Sequence, residues 1–163
     1  MKFFSKLNFL RFLETFYTLF LSATVGAILV VGAFTAPSIF TSEFLTHNES
    51  GLLMTGIFLK FNYWLYFLII MILGFEGYRY KNGKRDRTVL LSGFLVISSS
   101  LLFTDFYTPQ ILELLSLNQT ETELFQNIHF ASELDFKILF LSLAVLSFRR
   151  IWKLLLINEN KGA

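Results

Sequence analysis

The 163-residue chain is 54% hydrophobic and 18% aromatic, with a mean hydropathy of +0.58. That is too apolar for a soluble globule with a charged surface and points to a single membrane domain. Cysteine is absent, which excludes disulfides, thiolate nucleophiles, zinc-thiolate sites and iron-sulfur clusters. The formal charge of +2 is the remainder of 14 basic and 12 acidic residues, and these are segregated along the chain.

Lys2, Lys6 and Arg11 precede the first apolar run. Arg79, Lys81, Lys84, Arg85 and Arg87 separate the second run from the third, and Arg149, Arg150, Lys153 and Lys161 follow the fourth. The other two connections carry acids. Cytoplasmic loops retain Lys and Arg, so the pattern predicts both termini inside and two acidic outer segments. The first run closes with Ala33-Phe34-Thr35-Ala36, as a signal peptide would, but Thr15 to Phe34 is a full span, against roughly 7 to 15 residues for a signal h-region. Phe34 also stands where a small residue would be needed, and Pro37 would follow the cut. An uncleaved first helix is expected.

A hydrocarbon core about 30 Å thick needs roughly 20 helical residues, and four segments meet that length. The first covers about 13–36, stopped by Pro37, which cannot continue the hydrogen-bond ladder. Ser22 and Gly26, Ala23 and Ala27, and Gly32 and Ala36 make small-residue steps along it, a face for close helix packing. The second covers about 53–78, with Lys60 roughly one turn below the outer surface, within reach of snorkelling. The third, about 88–107, carries Ser92, Gly93, Ser98, Ser99 and Ser100, a stripe suited to the inside of a bundle, and closes with Asp105. The fourth, about 130–150, ends at Arg149 and Arg150 and brings Glu133, Asp135 and Lys137 to the outer boundary. Its helix is expected to start well outside the membrane, because Thr120-Glu121-Thr122-Glu123 has the spacing of a capping box.

The two prolines, Pro37 and Pro109, each follow an outward-running span and precede an apolar segment with one acid, then polar residues, then an inward-running span. Two such hairpins in one orientation suggest a parallel repeat. The expected fold is an all-α integral membrane bundle of four transmembrane helices, N-in and C-in, with short amphipathic outer segments after Pro37 and Pro109. Localisation in a bacterial cytoplasmic membrane as a multi-pass protein is expected, with the lipid bilayer as solvent.

The outer end of the fourth helix is the candidate site. At about 100° per residue, Phe125, His129, Ser132, Glu133 and Phe136 share a face, and His129 and Glu133 have the spacing at which two side chains grip one ion. With Asp105, Lys60, Asn62, Tyr107 and His47 they would form a polar cluster at one depth, and ionisable groups at membrane depth are costly enough to suggest function. The competing reading is structural: Glu133 and Lys137 as a helix-surface pair worth about 0.2 to 0.5 kcal/mol, Lys60 snorkelling, and His129 bonded to a neighbouring helix. A metal would have to use His129, Glu133 and His47, with other carboxylates or Met54 completing its shell. Tyr63, Trp64 and Tyr66 read as interfacial anchors. The basic stretch from Arg79 to Arg87 suits topology and lipid headgroups, so no nucleic-acid partner is expected. Asn118-Gln119-Thr120 matches a glycosylation acceptor, a signal without meaning in a bacterial host. No Gly-rich phosphate loop, nucleophile elbow or HExxH motif is present.

Gly26, Ala36-Pro37 followed by Phe40, the segment from Gly51 to Gly56, Pro109, and Phe125 with His129 and Ser132 together resemble the bacterial family called domain of unknown function 4149, itself similar to transmembrane-protein-205-like proteins. The resemblance runs from about Phe16 to Leu146 and implies a four-helix membrane protein without an established activity. More distantly the chain is similar to copper-resistance-D-like membrane proteins, which implies copper handling on the outer side. It departs from a metal-rich pattern: only His129 stands at a motif position, and Asp135 stands where the family often has an amide. Haem would need paired axial ligands facing each other in the bundle, which a loop His47 does not offer. No particular cofactor is implied.

The leading expectation is a non-enzymatic binding or permeation module whose outer polar cluster, His129, Ser132, Glu133, Asp105 and Lys60, engages an ion or small solute. Its rival is an accessory subunit that packs Ser22, Gly26, Gly32 and Ala36 against a second copy or another membrane protein. An enzyme ranks behind both.

Overall fold

The structure, a computed structural model, describes residues 6–159. Lys2 and Lys161, which enter the charge pattern, lie outside the described residues. The described chain is all-helical. Helix α1 (Lys6–Leu29) widens into a π-helical turn, Val30–Thr35, and continues as α2 (Ala36–Phe40). After a short connection come α3 (His47–Lys81) and α4 (Arg87–Leu101). A second π-helical turn, Leu102–Tyr107, leads into α5 (Thr108–Ser116), and α6 (Glu123–Glu159) closes the chain.

Three of these helical stretches are long and apolar enough to cross a membrane: Phe9–Phe40, His47–Lys81 and Arg87–Ser116, of 32, 35 and 30 residues. Helix α6 is longer still, at 37 residues. Its charge-free centre, however, is confined between Lys137 and Arg149.

Pro37 does not stop the first helix, contrary to the sequence expectation. A proline ring clashes with the carbonyl four residues back and supplies no N–H, and here the preceding turn widens to accommodate it. The Ala36 amide donates to the Val31 carbonyl, five residues back rather than four. The same device recurs at Pro109, where the Thr108 amide donates to the Phe103 carbonyl and the Thr108 hydroxyl reaches the same oxygen at 2.8 Å. Helices α2 and α5 therefore start just before the prolines, and the repeat in the sequence is a repeat of local structure.

Capping also differs from expectation at one end. The Thr122 hydroxyl, not that of Thr120, accepts the Phe125 amide at the start of α6 (3.2 Å). A second capping box, Thr46 with Glu49, opens α3, so His47 begins a helix instead of lying in the loop expected from the sequence.

The long helices form a ring in the order α1, α3, α4, α6, with α4 against α6 as the most extensive contact. The core runs through Tyr17, Leu21, Ile28, Leu65, Leu68, Ile72, Val96, Leu139, Leu143 and Leu146. Hydroxyl-bearing residues share this interior: Ser92, Ser99, Ser100, Ser132, Ser142 and Ser147 are all buried, as the serine stripe predicts for α4. Large apolar residues such as Leu19, Phe94, Leu141 and Phe148 point outward instead. An apolar exterior around a small, hydroxyl-rich interior is the arrangement expected of helices packed in lipid, where burial in hydrocarbon already satisfies the large side chains.

At the end of the bundle where α3, α4 and α6 carry their basic residues, the charges turn inward. Arg150 of α6 donates from Nε to Glu76 Oε1 of α3 at 2.8 Å and from Nη2 to the second oxygen. Arg79 pairs with Glu14 of α1. Asp86, which caps α4 by accepting the Thr88 amide at 3.0 Å, also receives Arg149 at 3.0 Å and Lys153 at 2.5 Å. Burial works against the Asp86 charge, but Lys153, the Val89 amide and Arg149 outweigh it and hold its carboxyl down to about 2. Arg79 and Arg150 flank the Phe75 ring at 5.9 and 5.6 Å, and Tyr17 stacks on it at 4.2 Å. Residues that mark topology in the sequence thus tie four segments together.

Candidate functional site

The opposite end of the bundle is open. A cavity of about 860 Å³ lies among the end of α1, α2, the start of α3, α5 and the N-terminal half of α6. Its existence follows from local structure. The π turn carries α1 outward past Gly32, Ala33 and Ala36, small side chains that leave the wall thin, and Gly51 lets α5 rest on α3. A Cβ at Gly51 would lie 2.8 Å from Leu115 Cδ2, and one at Gly32 would lie 3.3 Å from the Phe136 ring.

The walls are apolar: Ile28, Met54, Phe58, Ile111 and Leu115 are among the lining residues. The floor is aromatic. Phe58, Phe103 and Phe136 meet with ring centroids 5.1 to 5.6 Å apart, within the range of favourable edge-to-face and tilted packing. Below them the leucine core and the ion pairs close the bundle.

The rim is polar and is built mainly by α6. His129 Nε2 stands 3.4 Å from Glu133 Oε1, and Lys137 Nζ stands 3.6 Å from Glu133 Oε2. Because these residues recur every four positions, they line one edge of the cavity down the helix. The His129 ring stacks on Phe125 at 5.7 Å, with the planes 8° apart. Across the mouth, Phe40 stands 5.7 Å from the His47 ring and 6.4 Å from the His129 ring. Ser132 is buried behind the rim, its hydroxyl donating to the His129 carbonyl at 2.7 Å.

The structure brings His129, Ser132, Glu133 and His47 to one cavity. Asp105 and Lys60 do not join them. Asp105, exposed in the second π-helical turn, accepts the Tyr66 hydroxyl of α3, and Lys60 is exposed and makes no ion pair among the described residues. Both residues have the right depth but lie on faces turned away from the opening. Of the small-residue set, Ser22 shares a hydrogen bond with Ser147 of α6 at 2.9 Å, while Gly32, Ala36 and Pro37 line the cavity. Pro109 supports α5. Gly26 has no atom within 4 Å of where its Cβ would stand, so it faces out of the bundle. Trp64, read as an interfacial anchor, donates its indole N–H to Thr24 of α1 at 3.0 Å.

A copper centre does not fit these donors. The Phe40 ring packs beside both imidazoles, whereas a shared ion would need both nitrogens about 2.0–2.1 Å away. Among the described residues, no three His, Asp or Glu side chains group to hold an ion.

Two sets of residues escaped the sequence reasoning. The ion pairs at the end of the bundle away from the cavity escaped because positively charged helix ends have a sufficient explanation in topology. Asp135 escaped because it reads as part of a charged surface with Glu133 and Lys137, yet it is 6% exposed and faces Ser99 of α4. The helical angle of about 100° per residue separates it from Glu133 and was the available signal.

The model of the family described as Domain of unknown function (DUF4149) matches residues 19–119, and the chain belongs to that family. No curated protein and no solved structure matches it.

Proposed function

We propose that this member of the DUF4149 family is a non-enzymatic binding module of the bacterial cytoplasmic membrane that takes a small amphiphile into its outer cavity. The observation that carries this reading is the cavity itself. Its volume of about 860 Å³ lies within the range of roughly 300–1,000 Å³ typical of small-molecule sites, and its apolar walls with a few convergent polar groups are their usual lining. The apolar body of the ligand rests on Phe58, Phe103 and Phe136, and its polar head meets His129, Glu133 and Lys137. A bare ion is a poorer occupant, since the walls offer it nothing in exchange for its hydration. The closed floor argues for binding over an open pore.

The same reading takes α6 as a fourth span, with both termini cytoplasmic. Of the charges that interrupt α6, Asp135 and Arg150 are buried, Arg149 and Lys153 pair with Asp86, and Glu133 and Lys137 pair with each other at the cavity rim. Its outward residues Leu134, Ile138, Leu141, Val145 and Phe148 are apolar. The chain's lack of cysteine permits a direct topology test, in which Gln119→Cys is labelled by an impermeant maleimide from outside whole cells and Lys84→Cys is not. The reverse pattern refutes the orientation.

The binding test uses protein in lipid nanodiscs titrated with a dansylated long-chain fatty acid. Saturable fluorescence enhancement above that of empty nanodiscs is expected. Ala36→Phe, which fills the cavity, should abolish it, and His129→Ala and Lys137→Ala should weaken it. Enhancement unchanged by Ala36→Phe would overturn the proposal.

A further inference from the structure

The residues around the cavity differ in exposure from one element to the next. Those supplied by the second π-helical turn and by α5 are buried or half-buried, and so are those of α3 except His47 at its first position. The exposed ones stand in two rows. Leu29, Gly32, Ala33, Pro37 and Phe40 form one row along the end of α1 and α2, and Gln126, Phe130, Glu133 and Lys137 form the other along α6. The rows face each other: a Cβ at Gly32 would lie 3.3 Å from the Phe136 ring, and the Phe40 ring stands 6.4 Å from that of His129. Each row extends roughly 16 Å along its helix. The opening is therefore a slot along the side of the bundle between the first helix and α6.

The depth of the slot follows from the ion pairs at the far end, where Glu14 meets Arg79 and Glu76 meets Arg150. At 1.5 Å per residue, Leu29 stands about 22 Å above Glu14 and Lys137 about 20 Å above Arg150. With α6 as a fourth span, a hydrocarbon core of about 30 Å measured from that level ends close to Phe34 on the first helix and Phe130 on α6. The deeper half of the slot then faces acyl chains, and the upper half faces the head-group layer. The Lys137 ammonium reaches one turn upward to Glu133 at 3.6 Å, as a snorkelling cation does.

We propose that the cavity takes one acyl chain of a zwitterionic phospholipid through this slot, directly from the adjoining leaflet, while the second chain stays in the bilayer. Such entry presupposes that the cavity is the amphiphile site and that α6 spans the membrane. The chain passes from hydrocarbon into apolar walls without crossing water, so its apolar surface is never exposed on the way. Glu133 and Lys137 give the α6 edge one charge of each sign, with side chains 50% and 66% exposed. The phosphate of a zwitterionic head meets Lys137 and its ammonium meets Glu133, both through charge-assisted hydrogen bonds. A purely anionic head would face the Glu133 carboxylate, a like-charge approach that disfavours it.

The test uses the full chain in phosphatidylcholine nanodiscs doped with phosphatidylethanolamine that carries a diazirine at the end of one acyl chain. After irradiation, adducts on Phe58, Phe103 or Phe136 are expected by mass spectrometry. Ala36→Phe should remove these floor adducts and leave those on outward residues such as Leu141. Phosphatidylglycerol with the same photoreactive chain should label the floor several-fold less, and Glu133→Gln should remove the difference. Adducts confined to outward residues, with dansylated fatty acid still binding saturably, overturn this inference and leave the amphiphile reading standing. Loss of both signals overturns both. Floor labelling that is equal for the two lipids, or stronger with phosphatidylglycerol, overturns the zwitterionic assignment.

Discussion

Replacing Glu76 with Gln tests whether the inward-turned charges hold the bundle together. Arg150 is 5% exposed and makes two hydrogen bonds to Glu76, so the substitution leaves a guanidinium buried without its counter-charge. Removing one partner of a buried pair costs about 3–5 kcal/mol. Arg150 keeps its position over the Phe75 ring at 5.6 Å, and a desolvated cation-π contact of about 2 kcal/mol persists in the variant and does not enlarge the loss. The lower end of the range, about 3 kcal/mol, is therefore expected. At about 2–4 °C per kcal/mol for a chain of this size, the melting temperature falls by about 6–12 °C. The assay is a double-mutant cycle in nanodiscs with Glu76→Gln, Arg150→Met and both together. The double variant leaves no unpaired charge buried and should recover part of the loss, giving a coupling of about 2 kcal/mol or more between residues 74 apart in sequence. A single-variant loss below about 1 kcal/mol, or additive losses, would refute the claim that the pair is buried and mutually dependent.

Other expectations follow from the same geometry. The Asp86 carboxyl is held down to about 2 from its ordinary 3.8, so its contribution to stability is complete above pH 3.8 and disappears as pH falls through about 2; in Asp86→Asn the difference from wild type in denaturation free energy should shrink over that window, and a constant difference would be contrary evidence. Gly51→Val drives a Cβ to within 2.8 Å of Leu115 Cδ2 and should cost about 1–3 kcal/mol by overpacking, with α5 losing hydrogen-exchange protection before the rest of the bundle. Trp64→Phe removes the 3.0 Å bond to Thr24 and should cost about 1 kcal/mol, measured by thermal unfolding. Leu143→Ala, at a fully buried position, should cost about 2–5 kcal/mol through the cavity left behind.

What the amino-acid sequence determined by itself is whatever depends on local composition and periodicity. Runs of apolar residues set which segments are long helices apolar enough for a membrane, because in lipid each backbone group must be paired within its own segment. The spacing of Ser92, Ser99 and Ser100 set the inward face of α4, and that of His129 and Glu133 set a shared edge on α6, because 3.6 residues per turn fixes angular position. The recurrence of proline after two apolar runs marked the two places where the same widened turn occurs. Tertiary structure decided the rest. Whether Pro37 ends a helix or follows a widened turn depends on neighbours that hold α2 against α3. Whether Arg150 faces solvent or Glu76 depends on a partner 74 residues away, and charge counting along the chain cannot distinguish the two. Asp105 and Lys60 have the same depth as the rim but the wrong azimuth, which only the ring order of α1, α3, α4 and α6 specifies. The cavity is the extreme case, since it is a property of no residue: it is the space enclosed where the small side chains at the end of α1 come together with α2, α3, α5 and α6.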